Sequence, residues 1–280
     1  MVHRVAACVG RCGAQEHEGI DRPNNSLAGL QSQFAEAVLA LDKPTLLVMA
    51  NGGTLAIEQL VGRCGVSQRD APVSQRIGPC ARRGNVSLRC GAIVEAFNPA
   101  QSTPALAALL FGSENRWGKL PVTMYTAAYM DEQPMTNYDM VTPPGRTYRY
   151  YLGTPIYSFG YGLSLTTFAL ACARESPSSL RCSCEVRNTG ERGGDEVVQV
   201  YHAAGAAIRS SVDHPVPFRS LVSFERVTVP ANATVTVSFE LTNDALLLTT
   251  AEGERRLYPG ERQRVFTNGV NATVSISVSV

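Results

Sequence analysis

One tryptophan stands in 280 residues. An indole platform for a sugar would therefore have Trp117 as its sole candidate, and the place of Trp117 directly before the strand-like LPVTMY reads as core or hinge packing. An excess of charge is missing as well. The formal net charge is +1, so no global field favours nucleic acid or an anionic membrane. No apolar run reaches about 18 residues, and no membrane-spanning helix is expected. The opening MVHRVAACVG is too short and too polar for a signal peptide and reads as a strand entered almost at once. Zinc-type spacing is absent too: among eight cysteines, the CxC pair Cys182 and Cys184 has no second Cys or His pair nearby in sequence. No metal and no organic cofactor is expected.

What is present suggests two domains or one large one. Apolar residues make up 44% of the chain, enough for ordinary cores. The even cysteine count permits disulfides without choosing partners. Sequons at Asn24, Asn85, Asn232 and Asn271 support a secreted protein. Free buried thiols in an intracellular protein remain the alternative.

The first 120 residues alternate between strand and helix. Val5 to Val9 predicts a short buried strand. SLAGLQSQFAEAVLA, residues 26–40, places Leu27, Leu30, Phe34, Val38 and Leu39 at helical spacing behind a plausible Ser26 cap. KPTLLVMANGG (43–53) reads as a second buried strand, GAIVEAF (91–97) as a third, and TPALAALLFG (103–112) as a short helix stopped by Gly112. This order predicts an α/β layer on a mainly parallel sheet. Residues 61–90 break it, with six arginines, one acid and little periodicity. An arginine-rich anion site is one reading; an irregular, poorly ordered insertion is the other and the preferred one. From residue 165 the period changes to two. SLRCSCEVRNTG, DEVVQVYHAA, VTVPANATVTVSFEL and ATVSISVSV read as strands of an antiparallel β-sandwich. The Tyr-, Pro- and Met-rich stretch 122–163 is long for a linker and is expected to pack over the first domain.

Eight blocks follow one another in a recognisable order: EGIDRPNNSLAGLQ, KPTLLVMANGG, LLFGSENRWGKLPVTMY, PMTNYDM, PGRTYRYY, YSFGYGLSLTTF, NTGERGGDEVVQVYHA and PFRSLVSFERVTV. Together they resemble the C-terminal half of glycoside hydrolase family 3 enzymes. The PMTN and PGRTYR pair looks most like the β-xylosidase branch, which includes members with arabinofuranosidase activity. The resemblance covers nearly the whole chain except residues 61–90. It implies an α/β sandwich domain over 1–125, a connecting segment over 126–163, and an all-β immunoglobulin/fibronectin type III-like sandwich over 164–280. In the family an N-terminal barrel precedes these parts and carries the nucleophilic Asp. No barrel is present here, so the chain looks like a fragment, a truncated gene product or a protein that has lost its barrel, and the chain alone is expected to be inactive. The implied partners are a xylo-oligosaccharide substrate and that absent barrel, with neither nucleic acid nor membrane. The implied location is extracellular, in the cell wall or along the secretory pathway.

The resemblance also gives a role to an acidic run just after the first strand. Retaining glycosidases use two carboxyl groups, one a nucleophile and one an acid that later acts as base. The family supplies the acid/base from a loop of pattern E-G-x-D-R, matched here by Glu18, Gly19, Ile20, Asp21 and Arg22. Glu18 is therefore the candidate general acid/base and Glu16 the runner-up. Asp21 and Arg22 are expected to support the loop, and His17 falls outside the pattern. Family members often carry GLDQ before this loop where this chain has VGRCGAQ, and the lost Asp bears on the loop's geometry. The tyrosines and arginines of PGRTYRYY suit either a sugar cleft or a packed segment, and the family favours the second. Rival readings are a non-catalytic carbohydrate-associated module, a structural β-sandwich adhesion protein, and the β-glucosidase branch of the same family.

Overall fold

The computed structural model describes residues 5–10, 19, 22–41, 45–61, 90–176 and 179–279. These divide into two compact units. The first comprises residues 1–111, 123–137 and 154–157; the second comprises 112–122, 138–153 and 158–280. The stretch 122–163, expected to lie on the first domain, is thus shared between both units. The arginine-rich reading of 61–90 falls, from 62 to 89, outside the described residues.

The first unit is a parallel α/β layer. Strands β1 (Val5–Gly10), β2 (Thr45–Ala50) and β3 (Cys90–Glu95) pair in parallel in the order β1-β2-β3. The middle strand is TLLVMA, with Thr45, Leu47, Val48 and Met49 all buried. A near-continuous buried run is what a parallel strand flanked on both edges requires. Helix α1 (Gln31–Leu39) connects β1 to β2, as the spacing predicted, but with a different start and a different buried face. Ser26 does not cap it. Ser26 forms an isolated parallel bridge with Ala56, and its N–H donates to Asn24 Oδ1 at 3.0 Å. The cap position is Leu30, four residues later, after Gly29 takes a φ of 53°. Ala35 and Leu39 are its buried residues, while Leu30 and Phe34 are 73% and 52% exposed. Ala35 and Leu39 lie one turn apart, and the small Ala35 side chain allows close approach to the sheet. Helix α2 (Glu58–Val61) buries Leu60 and Val61; helix α3 (Thr103–Phe111) ends at Gly112, φ 77°, as expected. Helix α4 (Tyr129–Glu132) carries Tyr129, which stacks on Tyr125 with ring centroids 3.9 Å apart.

The second unit is a two-sheet antiparallel sandwich. One sheet orders β4 (Phe168–Arg174), β5 (Arg181–Asn188) and β8 (Thr234–Glu240) as β4-β5-β8. The other orders β6 (Gly194–Ala204), β7 (Ser220–Val229), β11 (Glu261–Thr267) and β12 (Thr273–Ser279) as β12-β11-β6-β7. Phe168, Cys182, Cys184, Val186 and Phe239 from the first sheet meet Val198, Val200, Val229 and Phe266 from the second in one apolar core. Cys172 and Cys184 face each other in the β4–β5 register and are joined by a disulfide. Smaller elements complete the unit: α5 (Thr147–Tyr150), α6 (Ala206–Ser211) and the ribbon of β9 (Leu248–Thr249) with β10 (Arg255–Arg256). Strand β11 is absent from the period-two segments because its inward positions are Arg262, Arg264 and Phe266, and the two arginines are fully buried. Among the described residues no helix is long and apolar enough to cross a membrane.

Candidate active-site loop at the carboxyl edge of the parallel sheet

Loops that follow the carboxyl ends of parallel strands carry sites in α/β layers, because there the chain leaves the sheet with backbone and side-chain polar groups unpaired by the ladder. In the first unit β1 ends at Gly10, whose register partner is Ala50 at the end of β2. A Cβ at residue 10 would sit 1.7 Å from the Ala50 carbonyl oxygen, so only glycine fits. The Gly10 N–H, free of the ladder, donates to Gln31 Oε1 at 2.8 Å, which fixes where the loop leaves the strand.

Within the loop, Glu16, His17, Glu18 and Asp21 lie outside the described residues; Gly19 and Arg22 are described. Gly19 adopts a φ of 84°, the left-handed turn that glycine admits most readily. Arg22 donates through Nη1 to the Thr54 carbonyl at 2.9 Å, which ties the end of this loop to the turn after β2. The tie continues through Ala56 N–H to Asn25 O at 2.7 Å and Asn25 Nδ2 to Thr126 O at 3.2 Å. Ala127 N–H closes the lacing on Glu58 Oε1 at 3.0 Å.

Two polar residues at the same edge were missed by the sequence reading. Asn51 follows β2 and is fully buried; its Nδ2 donates to Gly53 O at 2.6 Å and to Glu95 Oε2 at 3.4 Å, while its Oδ1 is buried without a hydrogen-bond partner among the described residues. Glu95 ends β3, and its Oε1 accepts from Phe97 N–H at 2.9 Å. Burial pushes the Glu95 carboxyl above its ordinary value, against the opposing pull of the Phe97 and Asn51 hydrogen bonds. Phe97 sits at a φ of 50°, uncommon for a bulky residue, and its carbonyl accepts from Asn51 N–H at 3.1 Å. The signal for Glu95 was available: it is an acid at the carboxyl end of a predicted parallel strand, where sites in α/β layers gather.

The PGRTYRYY residues take structural places in the second unit. Tyr148 stacks on Phe159 with centroids 4.4 Å apart, meets Tyr201 edge-on, and accepts from Leu221 N–H at 3.2 Å. The ENRWGKLP stretch is equally engaged there. Asn115 donates to Gly193 O and accepts from Ser164 Oγ and Leu165 N–H, and Lys119 pairs with Glu196 at 2.8 Å, both side chains nearly buried.

A parallel α/β unit with a polar loop edge, joined in one chain to a two-sheet β-sandwich, defines a modular α/β-plus-β protein. Residues 73–165 match the glycosyl hydrolase family 3 C-terminal domain and residues 196–266 match the fibronectin type III-like domain. The chain belongs to glycosyl hydrolase family 3 by these C-terminal domains. The first match starts inside residues 61–90, the stretch the sequence resemblance had left out. Among similar proteins, a xylan 1,4-β-xylosidase of Xylanibacter ruminicola is 31% identical over 95% of this chain and 28% of its own length. A periplasmic β-glucosidase of Salmonella typhimurium is 30% identical over 86% of this chain and 30% of its own. A solved β-glucosidase structure from Erythrobacter marinus superposes with a TM-score of 0.72 at 28% identity, covering 99% of this chain and 34% of that one. The chain thus spans about a third of the length of the relatives it matches.

Proposed function

We propose that this chain supplies the general acid/base of a retaining β-glycosidase, with Glu18 in that role, Glu16 as the runner-up, and Asp21 and Arg22 as loop supports. The observation that supports the reading is the bond from Arg22, the last residue of the E-G-x-D-R motif, to the Thr54 carbonyl in the turn after β2. The nucleophile belongs to a barrel outside this chain. The substrate class is terminal β-xylosyl residues of xylan-type oligosaccharides. Both a xylosidase and a glucosidase stand among the similar proteins, so the xylosyl choice rests on the PMTN and PGRTYR blocks. An acid role requires Glu18 to keep its proton above the ordinary Glu value of about 4.3; neighbouring carboxylates and exclusion of water by the barrel both act in that direction. The protein works outside the cytoplasm, a placement supported by exposed sequons at Asn24, Asn232 and Asn271 and by the Cys172–Cys184 disulfide.

The test combines the chain, fused or mixed, with a family 3 barrel that supplies the nucleophile. Glu18→Ala is expected to slow xylobiose hydrolysis by roughly two to four orders of magnitude. It should slow a dinitrophenyl xyloside much less, because that leaving group departs without a proton, and azide should restore turnover of the dinitrophenyl substrate. If Glu16→Ala shows this signature instead, the acid/base is Glu16. If neither variant shows it, the loop is structural and the reading fails.

A further inference from the structure

The second unit contains a hollow of about 380 Å³, within the size range of small-molecule sites, lined in part by Glu114, Arg116, Arg192, Gly194 and Asp195. Gly194 shapes its floor: a Cβ there would fall 2.2 Å from Asn115 Nδ2, so the backbone at this point stays bare. Of the two carboxylates on its lining, Asp195 is the one in contact with guanidiniums. Asp195 is buried and its carboxylate is fully engaged, accepting from Arg226 Nε at 2.8 Å, Thr228 Oγ1 at 2.8 Å and Arg116 Nε at 3.2 Å. Two guanidiniums therefore share one carboxylate, and the Nη groups of Arg116 keep no partner among the described residues. Arg192 donates through Nη2 to the Gly112 carbonyl, which leaves its Nε and Nη1 open among the described residues. Glu114, exposed on the lining, is a carboxylate with no hydrogen bond among the described residues.

A planar guanidinium edge matches a carboxylate in a two-point hydrogen bond. One such edge, the Nη1/Nη2 edge of Arg116, together with the open N–H groups of Arg192 on the same lining, favours an anion, and the nearby Glu114 disfavours one of higher charge while accepting hydroxyl groups. We propose that this hollow binds the carboxylate end of an acidic monosaccharide of the uronic acid class, held by Arg192 and Arg116, with Glu114 receiving a sugar hydroxyl. The sugar part rests on the glycosidase reading above; the carboxylate part rests on the guanidinium geometry alone.

The experiment is an amide and arginine Nε–H NMR titration of the full chain, followed at Gly193, Gly194, Arg116 and Arg192. The probes are methyl β-glucuronide, methyl β-xyloside, acetate and inorganic phosphate. Glucuronide is expected to shift these signals saturably and to bind about tenfold or more tightly than the neutral xyloside or acetate. Arg192→Ala should weaken glucuronide about tenfold or more, with Arg192→Gln as a second variant, and the rest of the spectrum reports folding. Glu114→Gln should strengthen phosphate binding several-fold. Equal binding of the neutral xyloside overturns the proposal, as does equal binding of acetate, tighter binding of phosphate than of glucuronide to the unaltered chain, or no saturable shift with any probe. Arg192→Ala should leave xylobiose hydrolysis by the barrel-complemented chain unchanged, so failure here and failure of the Glu18 test are read separately.

Discussion

The two units place their polar groups differently. In the sandwich, the buried amides Asn188 and Asn268 are satisfied from several directions, while the β11 arginines keep buried nitrogens, Arg262 Nε and Arg264 Nε and Nη2, without a hydrogen-bond partner among the described residues. Asn188 accepts from Thr166 Oγ1 at 2.7 Å and Gly190 N–H, and donates to Arg192 O and Val229 O. Asn268 accepts from three consecutive backbone N–H groups, those of residues 270 to 272, and donates to Glu196. In the α/β unit the polar groups gather at strand ends, where Asn51 Oδ1 is buried without a hydrogen-bond partner among the described residues. The difference teaches where to look for chemistry. Amide networks between strands rigidify a scaffold, whereas a strand-end edge with a raised carboxyl and a strained residue is the kind of place that marks a candidate site.

The largest expected effect tests whether the sandwich relies on its polar core. Lys119→Ala should destabilise the protein by about 3–5 kcal/mol in a denaturant melt, because Glu196 would be left charged and nearly buried without its partner. A loss under about 1 kcal/mol would place that core on the same footing as the loop edge. His202 sharpens the same point through pH. Burial, with Arg262 adding like charge, pushes its imidazole down from 6.5 to about 4. The folded state then binds fewer protons than the unfolded state between those values, so stability rises with pH across the window. Acidifying from pH 7 toward 4 should cost up to roughly 3 kcal/mol from this residue, and His202→Gln should flatten that part of the profile.

Within the α/β unit, the face of α1 is open to a direct comparison. Leu39→Ala should cost about 2–4 kcal/mol, while Phe34→Ala should stay within about 0.5 kcal/mol, since Leu39 is buried and Phe34 is exposed. Comparable losses would restore the apolar face predicted from periodicity. The smallest effect belongs to Glu95. A carboxyl whose pKa is raised by folding favours the folded state at acid pH and gives that up as pH climbs above the ordinary Glu value. Partial exposure screens the effect, so Glu95→Gln should stabilise by under about 1 kcal/mol at pH 7 and by nothing measurable near pH 4.

Particular residues show why part of this was legible and part was not. The run TLLVMA announces a central parallel strand because burial on both faces leaves no room for alternation. β11 concealed itself because alternation is read by polarity, and its inward Arg262 is made tolerable only by carbonyls at Leu246 and Tyr258 that a linear pattern cannot supply. Arg264 leans likewise on Leu180 O and the Cys182 sulfur, 82 residues away from it in sequence. The α1 face was misread because 3.6-residue spacing admits neighbouring faces, and packing against the sheet selects among them.

By itself the sequence determined the family, the order of an α/β unit and a β-sandwich, and the parallel strands. These are local signals: hydrophobic period, turn residues and short blocks in a given order. Only the tertiary structure decided that Cys172 pairs with Cys184, that Lys119 neutralises Glu196, that Arg22 reaches Thr54, and that Asn51 and Glu95 meet at one sheet edge. Each of these joins residues far enough apart in the chain that their meeting depends on strand register and sheet order, which arise from packing the whole core and not from any window of sequence.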